Sequence, residues 1–370
     1  MLNKVNNMKI TTVNIPATPK KNYEIHVSAN AMSDIGSLYD FAAYSKVFII
    51  TDEVVGPLLL AKLASALPVA YDSIALPVGT GQKSIKSVQA IWTAMHTAGC
   101  DRKSLVINLG GGVIGDVGSF AASTYMRGLD FLNVPTTLLA QVDSSVGGKT
   151  GFNFDGVKNL IGTFAQPIGV VIDTDTLATL PPRELSSGFG EIIKHGLISD
   201  RSYFEQVTSK PPQEFSPDEI AGIIARSCEI KTAIVEHDET EGDARKLVNF
   251  GHTVGHAVEA LSLSTDEPLL HGEAVGVGMV AEAVISNRLG KLPAADLQLI
   301  ERAVAAAGLP TTVAGMSVET ILQKMRSDKK NERGNINFTL LDGIGRAVYN
   351  QTVEQPVIIE ALRAITGQSQ

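Results

Sequence analysis

"INLGGGVIGDVGSF", residues 107–120, decides the fold. A β-branched apolar run ends in glycines, and a helical pattern begins directly behind them. Gly110, Gly112 and Gly115 fit G-x-G-x-x-G. Glycine lets a backbone approach a pyrophosphate, and a helix N-terminus offers N–H groups and the positive end of its dipole. The pattern alone marks only a tight turn; the strand before it and the helix after it give it weight. It is not the first βα unit of the chain, so an ordinary Rossmann dehydrogenase is a poor match.

Similar apolar runs lie on both sides: "VFIIT" (47–51), "SIALPV" (73–78), "FLNVP" (131–135) and "VVIDT" (170–174), with helical patterns between them. Such alternation predicts βαβ units and a parallel sheet covered on both faces. From Pro181-Pro182 the pattern changes to a run of helices, among them "RELSSGFGEIIKHGLI", "PDEIAGIIARSCEIKTAIVEH" and "GEAVGVGMVAEAVISNRL". Late in the chain "NINFTLLDGIGRAVY" reads as a hairpin turning at Asp342-Gly343. The expected fold class is α/β, an N-terminal Rossmann-like domain over 1–180 followed by a mainly helical domain over 181–370.

The chain has 370 residues, is 44% hydrophobic and carries 34 glycines, which suits a large packed core with many tight turns. Its net charge of −8, with no lysine/arginine block, argues against nucleic acid as a partner. An anionic ligand must then be held by a few placed cations. Cys100 and Cys228 lie far apart in no paired motif and read as buried thiols in a reducing compartment. The N-terminus shows no apolar signal region and no run is long enough to span a membrane, so a cytoplasmic protein is expected.

"VGGKTG" (146–151) tempts a phosphate-loop reading, but Asp143 stands where G-x-x-x-x-G-K-[ST] needs glycine. Lys149 is kept as a candidate because glycines hold its backbone in an open turn. In "NFGHTVGH" (249–256), His252 and His256 are four apart and share a helix face. This is half of the zinc-peptidase motif H-E-x-x-H, but Thr253 occupies the place of the glutamate base. Glu191 and Lys194 share another helix face, and His271 opens a helix in "LLHGEAVG". Three histidines and a carboxylate in glycine-rich, apolar helices suit Zn²⁺ with an open position. Lys231, Arg245 and Asn249 lie in and before the same stretch, and buried cations near a metal need anions that a ligand would supply. Most of "EHDETEGDARK" reads as a solvated charged loop.

Longer segments carry a resemblance. "GGGVIGDVGSFAASTYMRG", "VPTTLLAQVDSSVGGKTGFNFDGVKNLIG", "SGFGEIIKHG", "LVNFGHTVGHAVEA", "LHGEAVGVGMV" and "DKKNERGNINFTLL" resemble the 3-dehydroquinate synthase family of the sugar phosphate cyclase superfamily, almost end to end. The resemblance implies an NAD-binding first domain, a second domain with zinc (Co²⁺ as a possible substitute) and substrate, and a homodimer. It implies Glu191, His252 and His271 as metal ligands, in place of the helical pair His252/His256. Phosphate would be held by Lys149, Asn159, Asn249 and His256, with Arg127 reaching in from the partner subunit. Arg245 would take the substrate carboxylate, helped by a lysine of Asp328-Lys329-Lys330. Asp143, Lys194 and Lys231 would surround the hydroxyls of the reacting chain. NAD would contact Asp52, Lys83, Gly111, Gly112, Val113, Gly115, Asp116, Thr136, Thr137, Asp143, Lys149 and Lys158. Where the family often carries a ribose-contacting glutamate before the Lys83 position, "VGTGQKSIKS" offers Thr80 or Gln82.

The implied substrate is a heptulosonate phosphate, oxidised at one alcohol by NAD, relieved of phosphate, re-reduced and closed by an intramolecular aldol step. A metal-dependent alcohol dehydrogenase of the glycerol dehydrogenase type shares the two-domain plan but needs no such set of cations. Sister cyclases that make a deoxyinosose, a valiolone or an aminated dehydroquinate remain alternatives. Lys231, Arg245 and Asn249 together favour a carboxylated substrate.

Overall fold

The computed structural model describes residues 22–326 and 336–367. Its centre is a six-stranded sheet in the order β1-β8-β5-β4-β2-β3. The strands are β1 (Glu24–Ser28), β2 (Lys46–Asp52), β3 (Tyr71–Leu76), β4 (Ser104–Gly110), β5 (Asp130–Pro135) and β8 (Gly169–Asp173), and every pairing is parallel. Helices α1 (Ile35–Leu38), α2 (Val55–Ala66), α3 (Ile85–Thr97) and α4 (Gly112–Thr124) cover it. The period of two explains both faces. In β2, Val47 and Ile49 pack with Leu59 and Leu63 of α2, while Phe48 and Ile50 pack with Val88 and Ile91 of α3 and with Phe120 of α4.

Two elements lie outside the expected alternation. Strand β1 is a half-exposed edge strand without an apolar run. The hairpin of β6 (Lys149–Phe154) and β7 (Val157–Phe164) turns at Asp155-Gly156, both with positive φ. Asp-Gly is a strong hairpin signal. The late hairpin pairs β9 (Asn337–Leu341) with β10 (Ala347–Thr352) around Asp342-Gly343.

The helical half comprises α5 (Pro182–Ser199), α6 (Arg201–Val207), α7 (Pro217–His237), α8 (His252–Ser262), α9 (His271–Arg288), α10 (Ala294–Ala306), α11 (Val318–Arg326) and α12 (Gln355–Thr366). Helix α9 is buried on every side from Gly272 to Ser286, so it forms the axis of this half. Val170 and Ile172 of β8 pack with Phe189 and Ile192 of α5 and Ile223 of α7, which joins the two halves through one core. No described helix is long and apolar enough to cross a membrane.

Candidate active site

Two glycines set the geometry of the helical half. A Cβ on Gly278 would lie 1.9 Å from the Gly251 carbonyl, and one on Gly272 would lie 1.8 Å from the Ser187 carbonyl. Their absence lets α9 press against the start of α8 and against α5. That contact brings Glu191 of α5, His252 of α8 and His271 of α9 together, each offering one ligand atom within 4.8 Å of the others. Glu191 Oε1 lies 3.6 Å from His252 Nε2 and 3.5 Å from His271 Nε2. The start of α8 is held by Glu282, a buried carboxylate that accepts from the N–H groups of Gly251 (2.7 Å) and Val254 (3.1 Å). An anion at a helix N-terminus is favoured there.

The other ring nitrogens fix the tautomers. His252 Nδ1–H donates to the Phe250 carbonyl at 3.1 Å, and His271 Nδ1 lies 3.4 Å from Glu259 Oε2. With a metal bound, both acceptors would keep the proton on Nδ1 and leave the Nε2 lone pair for the ion, the arrangement of metal-binding histidines. Burial alone would raise the Glu191 carboxyl, but the Lys194 ammonium and the two imidazoles hold it well below the usual carboxylate range. Burial opposes charge on His271, yet Glu191 and Glu259 raise it to about 9, so a proton and a metal cation compete for this ring. A fully buried carboxylate oxygen, Glu191 Oε1, makes no hydrogen bond among the described residues. One carboxylate and two imidazoles around it fit a divalent ion of the zinc type.

Next to this cluster stand the buried cations. Lys194 pairs with Glu191 one turn away, and both are almost wholly inaccessible. Lys231 of α7 donates to Asp143 Oδ1 at 2.6 Å and to the Asp143 carbonyl. Burial pushes the Lys231 ammonium down from its ordinary value, partly offset by Asp143. Asp143, on the π turn Ala140–Ser144, is held below the usual range by Lys231 against its own burial. His195 is fully buried, bonded through Nδ1 to Ser227 at 2.5 Å, and burial followed by the Lys194 charge takes it down to about 3, so it is neutral.

The glycine turn faces the same cluster. Asp116 of α4 pairs with Lys83 and senses the charges of Asp143 and Lys231. Burial raises its carboxyl more than Lys83 lowers it. A Cβ on Gly112 would come within 3.0 Å of Ser144 Oγ and one on Gly111 within 3.0 Å of Thr137, whereas a Cβ on Gly115 would meet nothing within 4 Å. A crevice lined by Gly110, Gly111, Gly115, Asn133 and Ser144 runs beside Gly115, and the buried Thr136 hydroxyl has no partner among the described residues. Asp52 ends β2 and accepts from the N–H groups of Val54 and Val55 at 2.9 and 2.7 Å. These groups occupy the carboxyl ends of β2, β4 and β5, where open α/β sheets bind ligands. The backbone N–H groups at the start of α4, behind glycines, suit the pyrophosphate of a dinucleotide.

On the far side Lys149 pairs with Glu241, whose other oxygen accepts from Asn249 Nδ2 at 2.8 Å. A carboxylate thus lies between two groups expected to hold phosphate. The loop carrying it is structured rather than merely solvated: Asp238 accepts from the N–H groups of Gly242, Asp243 and Arg245. Arg245 is buried, and its Nη1 donates to the carbonyls of Gly147 (3.0 Å) and Glu239 (2.5 Å). It therefore also supports the turn that presents Lys149. Lys158 of β7 reaches Glu259 at 2.7 Å, and the Asn159 N–H donates to Asn153 Oδ1. His256 lies among the histidines, meeting His252 edge-to-face at 5.1 Å between ring centres and lying tilted to His271 at 5.9 Å. Arg127 is exposed beyond α4 and, like Met126, has positive φ. The expected Asp328-Lys329-Lys330 segment lies outside the described residues. Sequence reasoning missed Glu241, Glu259, Glu282 and Ser227; only Glu259 carried a signal, its helical spacing from His256, while the contacts of Glu241 with Lys149, of Glu282 with Gly251 and of Ser227 with His195 join distant parts of the chain.

The chain matches two family profiles, 3-dehydroquinate synthase N-terminal over residues 73–187 and 3-dehydroquinate synthase C-terminal over residues 188–331. It is 41% identical to the 3-dehydroquinate synthase of Nitrosospira multiformis, over 97% of this chain and 100% of that one. Among solved structures it resembles the 2-epi-5-epi-valiolone synthase of Streptomyces hygroscopicus with NAD⁺ and Zn²⁺ bound (TM-score 0.86, 28% identity, 95% and 99% of the two chains covered). It also resembles a 2-deoxy-scyllo-inosose synthase complexed with carbaglucose-6-phosphate, NAD⁺ and Co²⁺ (TM-score 0.82, 26% identity, 92% and 96% covered). With both profiles matched in order and a relative aligned along nearly its whole length, the chain belongs to the 3-dehydroquinate synthase family.

Proposed function

We propose that the site described above carries out the reaction of the family, with the following division of labour. The reaction converts 3-deoxy-D-arabino-heptulosonate 7-phosphate to 3-dehydroquinate and phosphate, a carbon–oxygen lyase step of the shikimate pathway toward aromatic amino acids. The observation that carries the reading is the continuity of one polar cluster. It runs from the glycine turn through Asp116, Asp143 and Lys231 to Lys194 and the Glu191/His252/His271 triad. A simple dehydrogenase has no use for so many buried cations.

Glu191, His252 and His271 would hold a divalent metal, zinc or cobalt. The Gly111–Asp116 turn with Asp52, Lys83, Thr136, Thr137 and Lys158 would hold NAD. When bound, NAD supplies reversible hydride transfer at one secondary alcohol and the metal supplies Lewis-acid polarisation of that oxygen. Lys194, Lys231 and Asp143 orient the substrate hydroxyls and stabilise charge growing on their oxygens, in a site from which water is excluded. Lys149, Asn159, Asn249 and His256 bind the phosphate, which takes the place of the Glu241 carboxylate between Lys149 and Asn249. Arg245 binds the carboxylate with nitrogens other than Nη1. NAD would supply both the oxidation and its reversal, so no net redox change would result, and the same cations would hold the substrate for the closing intramolecular aldol addition.

The domains are assigned as 1–180 for NAD and 181–370 for metal and substrate. A homodimer is supported by the exposed apolar residues Leu160, Ile161 and Phe164 of β7. They lie near the strained Arg127 turn, since Ser123 of α4 bonds Thr163 at 2.9 Å, and Arg127 would complete the partner's phosphate site. Two buried free cysteines, Cys100 and Cys228, support a cytoplasmic setting. The test is phosphate release from the heptulosonate phosphate, with and without NAD and with a chelator. Release that depends on NAD and is abolished by the chelator is expected; no release from this substrate overturns the reading.

A further inference from the structure

Glu259 is buried on α8, seven residues after His252 and three after His256, so it shares their helix face. Its Oε2 lies 3.4 Å from His271 Nδ1, and its Oε1 lies 2.7 Å from the Lys158 ammonium. The two histidines of the triad are therefore supported differently. His252 leans on a neutral carbonyl two residues away in its own chain segment, whereas His271 leans on a carboxylate of another helix. An anionic acceptor makes an imidazole more basic and a stronger ligand than a carbonyl does, and it fixes the ring plane. A buried carboxylate is unfavourable unless paired. Lys158 supplies that pairing from β7, next to Asn159 and in the hairpin that Asn153 ties to the Lys83 carbonyl at 2.9 Å.

His256, Glu259 and His271 also offer atoms within 4.8 Å of one another, which raises a second cation as an alternative. The engagement of both Glu259 oxygens, one by Lys158 and one by His271, speaks against it. We infer that Glu259 is a positioning residue of the metal centre. It holds His271 as the Nδ1–H tautomer with Nε2 toward Glu191, and Lys158 keeps it charged and aimed. The chain Lys158–Glu259–His271 thereby ties the hairpin of the first half to the metal ligand of the second. This inference rests on the reading of Glu191, His252 and His271 as the metal triad.

The test uses the full-length protein stripped with a chelator. Zn²⁺ is titrated against a chromophoric competitor, and the visible spectrum of the Co²⁺-loaded form is recorded. Glu259→Gln keeps the shape and removes the charge. It should weaken metal binding about 10–100-fold, the scale of losing such an outer partner, and should shift the Co²⁺ bands. At saturating metal its activity should return to within a few-fold, with KM near the wild-type value. Lys158→Met, on the half-exposed hairpin, should weaken metal binding several-fold without NAD present. It carries the test if Glu259→Gln fails to fold. A merely structural Glu259 would lower the melting temperature and leave metal affinity and the Co²⁺ spectrum unchanged, and that result overturns the inference. His271→Ala is the control. If it loses metal while the Glu259 and Lys158 variants bind normally, the inference fails alone; if it keeps metal, the triad reading fails with it.

Discussion

Replacing Lys231 separates its part in the fold from its part in the chemistry. Its ammonium lies 2.6 Å from Asp143 Oδ1, with 6% of the lysine side chain and 25% of the aspartate side chain exposed. At that distance and an effective dielectric constant of ~20, the attraction is roughly 6 kcal/mol before the cost of desolvation. Removing one member leaves the other charge unpaired, which costs about 3–5 kcal/mol for a buried pair. The partial exposure of Asp143 places Lys231→Met at the lower end, about 3 kcal/mol. Removing both charges in Asp143→Asn/Lys231→Met should bring stability back to within ~1 kcal/mol of the wild type, since paired removal is close to neutral. Activity should not come back. Loss of one preorganised donor costs ~10²–10³ in kcat, and the double variant still lacks it. Denaturant unfolding and phosphate release measured on the two single variants and the double variant check this. A Lys231→Met protein as stable as the wild type, or a double variant with restored turnover, would refute the reasoning.

Three further outcomes are expected. His256→Ala should keep one metal per chain and lose activity, whereas His271→Ala should lose both; metal analysis of the purified variants decides, and zinc loss in His256→Ala alone would count against the triad. Mixing an inactive Arg127→Ala chain with an inactive Lys194→Ala chain should restore some activity, because one site of the mixed dimer keeps both residues; heterodimers shown to form but without activity would remove Arg127 from the partner's site. Glu241→Gln, by weakening the anion seated between Lys149 and Asn249, should make inorganic phosphate a several-fold stronger competitive inhibitor, and an unchanged inhibition constant would deny that the carboxylate and phosphate share a place.

The parallel sheet could be read from the sequence because its inner strands are buried on both faces and are nearly continuous apolar runs, as in "VFIIT" (47–51) and "LVINL" (105–109). Strand β1 escaped that test because "EIHVS" lies half-exposed at an edge and mixes polar with apolar residues. The β6–β7 hairpin carries a readable Asp155-Gly156 turn, but its strands "KTGFNF" and "VKNLIGTF" hold no continuous apolar run. In the site, helix spacing alone pointed to His252 and His256. The partners the structure brings to His252, Glu191 and His271, come from other helices, and only the close approach at Gly272 and Gly278 gathers them. Glu241 sits in a stretch that reads as a solvated charged loop, yet its contacts reach Lys149, 92 positions away. Local pattern reports which face of an element is apolar; it does not report which charge on another element will meet it.

The central claim is that NAD here serves as a returning carrier inside one catalytic cycle. The direct measurement is phosphate release followed beside nicotinamide absorbance, with stripped enzyme, metal restored and NAD supplied below the amount of substrate. Many phosphates per NAD with flat absorbance is the predicted result. One NADH formed per turnover with no phosphate released would contradict the account and make the chain a dehydrogenase.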